Sequence, residues 1–200
     1  MREAIVHLSE SDPVLAGIIQ RVGPYGIEFL DPSFETLAKS IIFQQLTGKV
    51  ARVIFERVAR AAGGRLTPDS ILRLRPERMR KLGLSPQKTA YIRDLARRTR
   101  KGEIVFERLP QISDEDVIEY LTRVKGIGVW TAHMFLIFAL RRPNVLPTED
   151  LGIRAAVQKA YGLADLPQPV QVEAIGERWN PYRTVASWYL WRTLEPDANL

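Results

Sequence analysis

Residues 121–132 read Leu-Thr-Arg-Val-Lys-Gly-Ile-Gly-Val-Trp-Thr-Ala, with two glycines one residue apart between helix-forming stretches. Glycine permits φ > 0 and removes the side chain that would hold a ligand away from the backbone. The amides of Gly126, Gly128 and Val129 are then placed to face outward at the start of a helix. That end carries partial positive charge and suits a phosphate oxygen, and Lys125 adds a full charge. Spacing alone also fits a helix C-cap glycine followed by an ordinary turn, because Gly-x-Gly between helices is a weak signal. A second residue able to do chemistry is Asp150, three residues after Pro147 and at the start of another helical stretch. A carboxylate there is stabilised as the anion. The local sequence equally allows Asp150, Glu149 or Thr148 to serve only as a helix N-cap.

The elements that must position these residues read as helices. Asp12 or Ser11 caps a helix opening at Pro13, and Asp31-Pro32 opens one with Phe34, Leu37, Ala38, Ile41 and Ile42 at helical spacing. Gln44, Gln45, Leu46, Thr47 and Gly48 interrupt it, and a further helix runs through Val50, Val53, Ile54 and Val58 to Gly63-Gly64. Short helices open at Thr67-Pro68 and Pro76, and longer ones at Ser85-Pro86 and Ser113. A very apolar helix spans about 129–140, another begins at Asp150, and the last two cover about 170–179 and 181–194. No segment sustains period-two alternation, and only Val105 and Phe106 read as a short extended stretch. The expected fold is all-α, with about ten helices in two sub-bundles and a cleft between them as the default binding site. One sub-bundle is expected over roughly 34–140, including the hairpin 121–132. The N-terminal helix and 143–200 are expected to form the other, within a single 200-residue unit.

Composition narrows the chemistry. The chain of 200 residues is 46% hydrophobic, enough for a normal core. Its 29 Lys plus Arg exceed 23 Asp plus Glu, a net charge of +6 that is compatible with a polyanionic partner without requiring one. With no cysteine, disulfides, thiol catalysis and Cys-held zinc or iron–sulfur sites are excluded, and His7 and His133 lie far apart, so no metal site is expected. No apolar run approaches about 18 residues and no signal core is visible, so a cytoplasmic protein is expected.

The longer pattern Leu-x-x-Val-Lys-Gly-Ile-Gly-x-x-Thr-Ala resembles the helix-hairpin-helix motif of the HhH-GPD DNA glycosylase superfamily. About twenty residues later, Leu146-Pro147-Thr148-Glu149-Asp150-Leu151-Gly152 resembles that family's Pro-x-x-Asp element. Three further stretches look like its 3-methyladenine DNA glycosylase II (AlkA-like) branch. They are Ile41 to Thr47, Gly83-Leu84-Ser85 to Lys88 and Tyr91, and Trp179-Asn180-Pro181-Tyr182-Arg183 to Trp191. The resemblance covers roughly residues 34–192. The extra N-terminal β domain of some members and the Cys-rich cluster loop of other branches have no counterpart in this sequence.

The resemblance implies that Asp150 is the catalytic aspartate of a glycosylase that hydrolyses the N-glycosidic bond of a damaged base and so initiates base excision repair. A base methylated at a ring nitrogen is cationic and leaves readily. One carboxylate, stabilising an oxocarbenium-like sugar and guiding water, then suffices where ordinary glycosides need two. Lyase-type members carry a Schiff-base lysine where this chain has Trp130, so a monofunctional enzyme is implied. Trp130 would stack on the extruded cationic base, with Trp191, Met134 and Phe43 completing the pocket, although each of these also fits core packing. Lys125, Gly126, Ile127, Gly128, Val129 and Thr131 form the implied phosphate-binding hairpin. The gap left by the flipped base falls to the turn of Gln44, Gln45 and Leu46. Gln45 stands where some relatives carry an apolar wedge, Leu46 is the other candidate, and Gln44 and Gln45 also fit a role in tying down the helix end.

The implied partner is double-stranded DNA containing alkylated bases, with the protein expected to be monomeric and free of membranes. No cofactor is implied, and the hairpin leaves room for a monovalent cation. The basic residues from Arg78 to Lys101 read as solvated faces, some of them available to contact phosphates, and the sequence does not select which. The competing readings are a non-catalytic helix-hairpin-helix DNA-binding module, a glycosylase/lyase acting on oxidised or mismatched bases, and an α-helical small-molecule enzyme. The first needs neither Asp150 nor Trp130, the second needs a lysine at position 130, and the third needs a second catalytic group.

Overall fold

The computed structural model describes residues 1–194; the last six residues of the expected second sub-bundle, 195–200, lie outside the described residues. The elements are α1 (Arg2–Ser11), α2 (Pro13–Val22), α3 (Phe34–Phe43), α4 (Gly48–Ala61), α5 (Pro68–Arg73), α6 (Pro76–Lys81) and α7 (Pro86–Arg100). They continue with α8 (Asp114–Thr122), α9 (Val129–Phe138), α10 (Leu151–Tyr161), α11 (Pro169–Gly176) and α12 (Arg183–Arg192). Two 3-10 segments, Phe106–Gln111 and Glu177–Trp179, complete them, and no strand occurs among the described residues.

The starts of these helices follow from their caps. Asp12, Ser33, Thr67, Ser85, Ser113 and Asp150 each accept a backbone N–H of the first turn, and proline follows the cap at Pro13, Pro68 and Pro86. Two elements depart from the sequence reading. Helix α1 has neither a capping side chain nor a basic last turn, and Glu3 in its first turn is a weak signal by itself. Phe106 opens a 3-10 turn instead of continuing an extended stretch, because its ring is buried against Phe135 at 6.1 Å between centroids. Pro110, expected in a turn between helices, lies inside that 3-10 segment.

The chain divides into two compact units, one formed by Met1–Phe29 with Leu136–Leu200 and the other by Leu30–Phe135. In the first unit Leu8, Leu15, Ile18, Ile153, Val157, Val172, Trp179 and Tyr189 form the core. At its centre the buried carboxylate of Asp12 caps α2 through Val14 N and Leu15 N and accepts the Tyr161 hydroxyl and the Trp179 indole N–H. Four donors satisfy a group that would be costly to bury alone. Burial, followed by that carboxylate, pushes the Tyr161 phenol far up.

In the second unit α3 packs on α4 and α7, and α7 packs on α5 and α6. Arg93 of α7 donates to the Leu74 carbonyl at 2.6 Å, and Arg98 pairs with Asp94 at 3.0 Å and with Glu103 at 3.0 Å. These arginines and Lys88 are internal ties, a correction to their reading as solvated faces. Helix α9 is apolar on every side, and Ala132, Phe135, Leu136 and Ile137 are all buried; only its first turn emerges, with Val129 and Trp130 exposed.

Candidate active site

In the first unit one face of α12 builds the approach to Asp150. The Thr184 hydroxyl donates to the Arg142 carbonyl at 2.6 Å and accepts Val145 N at 3.0 Å. The Ser187 hydroxyl reaches the Val145 carbonyl at 3.5 Å. One turn further along, Trp191 donates its indole N–H to Asp150 Oδ1 at 2.9 Å. Positions 184, 187 and 191 share a helix face, so α12 aligns the segment and grips its end. The three-residue spacing from Pro147 to Asp150 closes a β-turn in which Asp150 N donates to the Pro147 carbonyl at 2.9 Å. The turn delivers Asp150 to the N-cap of α10, where Oδ1 accepts Ile153 N at 2.8 Å. Asp150 is therefore a helix cap and also a half-buried carboxylate oriented by a tryptophan.

Gly152 makes that arrangement fit. A Cβ on it would stand 3.0 Å from Asp150 Oδ1 and 3.3 Å from Trp191 Cδ1. The Trp191 ring stacks on Phe138 with centroids 6.0 Å apart and planes 23° apart. Sequence reasoning gave Gly152 no role; its place two residues after the carboxylate was the available signal.

In the second unit the hairpin 121–132 divides its side chains between core and surface. Val124 and Ile127 are buried anchors, while Lys125, Gly128, Val129 and Trp130 are exposed. Only Gly126 uses the left-handed region, at φ +84, and a Cβ there would overlap the Tyr91 ring. Gly128 does not need φ > 0, and a Cβ on it would meet open space. Two members of the expected phosphate-contacting set have side chains that turn inward. Ile127 is 4% exposed, and the buried Thr131 hydroxyl accepts the Gln44 side-chain amide at 3.4 Å. Below the hairpin, Asp94 Oδ2 accepts Lys125 N at 3.1 Å. Burial pushes the Asp94 carboxyl up, but the Lys125 amide and the Arg98 and Arg97 guanidiniums outweigh it and hold it below the usual carboxylate range.

Phe43, Trp130 and Met134 line one cavity of about 410 Å³ together with Ser40, Gln44, Gln45 and Thr131. Trp130 is 44% exposed, which removes the core-packing alternative for it. Gln44 is committed elsewhere: its amide donates to the Gly126 carbonyl at 3.0 Å, so it ties the helix end to the hairpin and is not spare for filling a gap. Gln45 and Leu46 are exposed at the turn, and Gln45 is held at φ +56, an uncommon conformation for a residue other than glycine. Asp150 and Trp191 thus meet in the first unit, and Phe43, Trp130 and Met134 meet in the second.

Residues 38–181 match the model of the HhH-GPD superfamily of base excision DNA repair proteins. The chain belongs to the HhH-GPD superfamily. Among its HhH-GPD relatives is DNA-3-methyladenine glycosylase 1 of Schizosaccharomyces pombe, 36% identical over 200 residues that cover 96% of this chain and 87% of that protein. A 3-methyladenine DNA glycosylase of that yeast, solved in complex with abasic DNA, superposes with a TM-score of 0.85 at 36% identity, covering 96% of both chains. The crystal structure of a DNA-3-methyladenine glycosidase from Bacillus halodurans superposes with a TM-score of 0.87 at 34% identity, covering 96% of this chain and 89% of that one. The all-helical HhH-GPD fold and the helix-hairpin-helix and Pro-x-x-Asp elements read from the sequence agree with this membership.

Proposed function

We propose that this protein is a monofunctional DNA glycosylase that flips alkylated, cationic bases such as 3-methyladenine out of duplex DNA and hydrolyses the N-glycosidic bond, initiating base excision repair. The observation that carries the reading is the carboxylate of Asp150, fixed by Trp191 and by its own helix, in a chain whose relatives are named for 3-methyladenine glycosylase activity.

In this reading Gly126, Gly128 and Val129, with Lys125, grip a backbone phosphate. The base enters the cavity of Phe43, Trp130 and Met134, and the Trp130 ring stacks on it. A cation over an indole face gains about 0.5–2 kcal/mol, which favours methylated bases over normal ones. The glycosidic electron pair departs with the base and neutralises its charge, so no general acid is needed. The sugar is left as an oxocarbenium ion, which the Asp150 carboxylate stabilises. Water adds at C1′ and passes a proton to the Asp150 carboxylate, which returns it to solvent, leaving an abasic site. Gln45 or Leu46 occupies the vacated place in the stack.

Trp130 stands where a lyase carries its amine, so the strand stays intact. The test is incubation with methylated duplex DNA with and without borohydride. Free base and an alkali-labile strand are expected, with no covalent adduct. Strand cleavage without alkali, or a trapped adduct, would overturn the monofunctional reading.

A further inference from the structure

One strip of α7 holds both the hairpin and the turn that carries Gln45. Lys88 Nζ donates to the Ile42 carbonyl at 2.7 Å and to the Gln44 carbonyl, closing the C-terminal end of α3. One turn on, the Tyr91 ring occupies the space a side chain at position 126 would need. A turn beyond that, Asp94 accepts Lys125 N. Gln44 closes the loop, its backbone held by Lys88 and its side-chain amide by the Gly126 carbonyl. The rest of the turn is exposed, from Gln45 to Thr47. Partial burial pushes the Lys88 ammonium below its ordinary pKa.

We infer that Lys88 and Gln44 are positioning residues for base extrusion, locking the turn that presents Gln45 to the hairpin that grips the phosphate. The inference rests on the glycosylase reading above. Extrusion costs a few kcal/mol of lost pairing and stacking, and a gap-filling side chain offsets that only if it is fixed relative to the gripped backbone. The Lys88 and Gln44 bonds are what fix it. Losing the Lys88 bonds disables extrusion and leaves the chemical step at Asp150 as it was.

The test compares single-turnover release of 7-methylguanine from a fully paired duplex with release from the same strand carrying the lesion in a three-nucleotide bubble. Lys88→Met lowers the rate on the paired lesion by about tenfold or more, the worth of a hydrogen bond from a charged group, and by less than about threefold in the bubble. Lys88→Arg restores the paired rate. Lys88→Gln, one atom too short to reach both carbonyls, gives the same split while keeping a polar side chain, so the outcome does not depend on Lys88→Met keeping its fold. Equal losses on the two substrates, or no loss on the paired one, would overturn the inference. Failure of the unsubstituted protein to release base from either substrate would overturn the glycosylase reading, and this inference with it.

Discussion

Trp191 and Ile153 donate to the same oxygen of Asp150, the indole N–H at 2.9 Å and the amide at 2.8 Å. One donor belongs to the helix that Asp150 itself caps and the other to α12, so the carboxylate is held from two elements. A residue that only capped a helix would need just the first. The Trp191 bond is what separates a positioned carboxylate from an ordinary cap, and it ties Trp191 to Asp150 in place of the cavity of Phe43, Trp130 and Met134.

Trp191→Phe keeps a ring against Phe138 and deletes the donor. A hydrogen bond to a charged group is worth about 1.5–3 kcal/mol, so kcat for base release is expected to fall by about ten- to a hundredfold. DNA affinity should stay within about twofold. Parallel single-turnover and binding titrations would check the split; an equal loss of affinity would place Trp191 in DNA binding instead.

Gly152→Ala separates activity from stability. Alanine favours a helix over glycine by up to about 1 kcal/mol, which offsets part of the cost of the tight Cβ contacts, so thermal stability should change little. The new Cβ would press on Asp150 Oδ1 and Trp191 Cδ1 and shift the carboxylate. Base release is expected to fall at least about tenfold, since small misplacements of a reacting group are costly. Thermal melting and release assays on one preparation decide it.

The two hairpin glycines should fail in different ways. Gly126→Ala forces φ +84 on a residue with a Cβ and drives it into the Tyr91 ring, so it should lower stability by about 2 kcal/mol or more. Gly128→Leu meets open space within the protein. It should melt like the parent yet bind both intact and damaged DNA less tightly, because its side chain stands where a phosphate approaches. A Gly128→Leu defect confined to damaged DNA would move the hairpin into the base pocket.

Asp94 gives the hairpin a pH dependence. Its folded pKa lies below the unfolded value, so its contribution is present above the unfolded pKa of about 3.9 and is lost as pH falls through the folded value. The melting difference between the parent and Asp94→Asn should be full at neutral pH. It should shrink once the pH drops below about 4. A difference that is constant from pH 7 to pH 3 would contradict the charged role.

The sequence carried most of the fold because its helices begin at self-contained signals, such as Ser33, Ser85 and Asp150 with their capping bonds. Helix α1 was missed because its Met1 cap makes no side-chain bond, and its place is set by burial of Ala4 and Leu8 that only the fold shows. Asp150, Trp130 and the hairpin were singled out by local spacing joined to family resemblance. Lys88, Asp94 and Gly152 were not, because each acts on a residue far along the chain or through space that only the fold creates. The gap-filling trio could be narrowed only once the Gln44 amide was seen on the Gly126 carbonyl.

The central claim is that Asp150 performs the chemistry. Its most direct test is single-turnover release of free base from methylated duplex DNA by the unsubstituted protein and by Asp150→Asn. The asparagine still offers an oxygen to Ile153 and Trp191, so the fold and DNA affinity should persist. Base release should drop by about a thousandfold or more, as expected for loss of the charge facing the oxocarbenium ion. Release by Asp150→Asn at the rate of the unsubstituted protein would contradict the account.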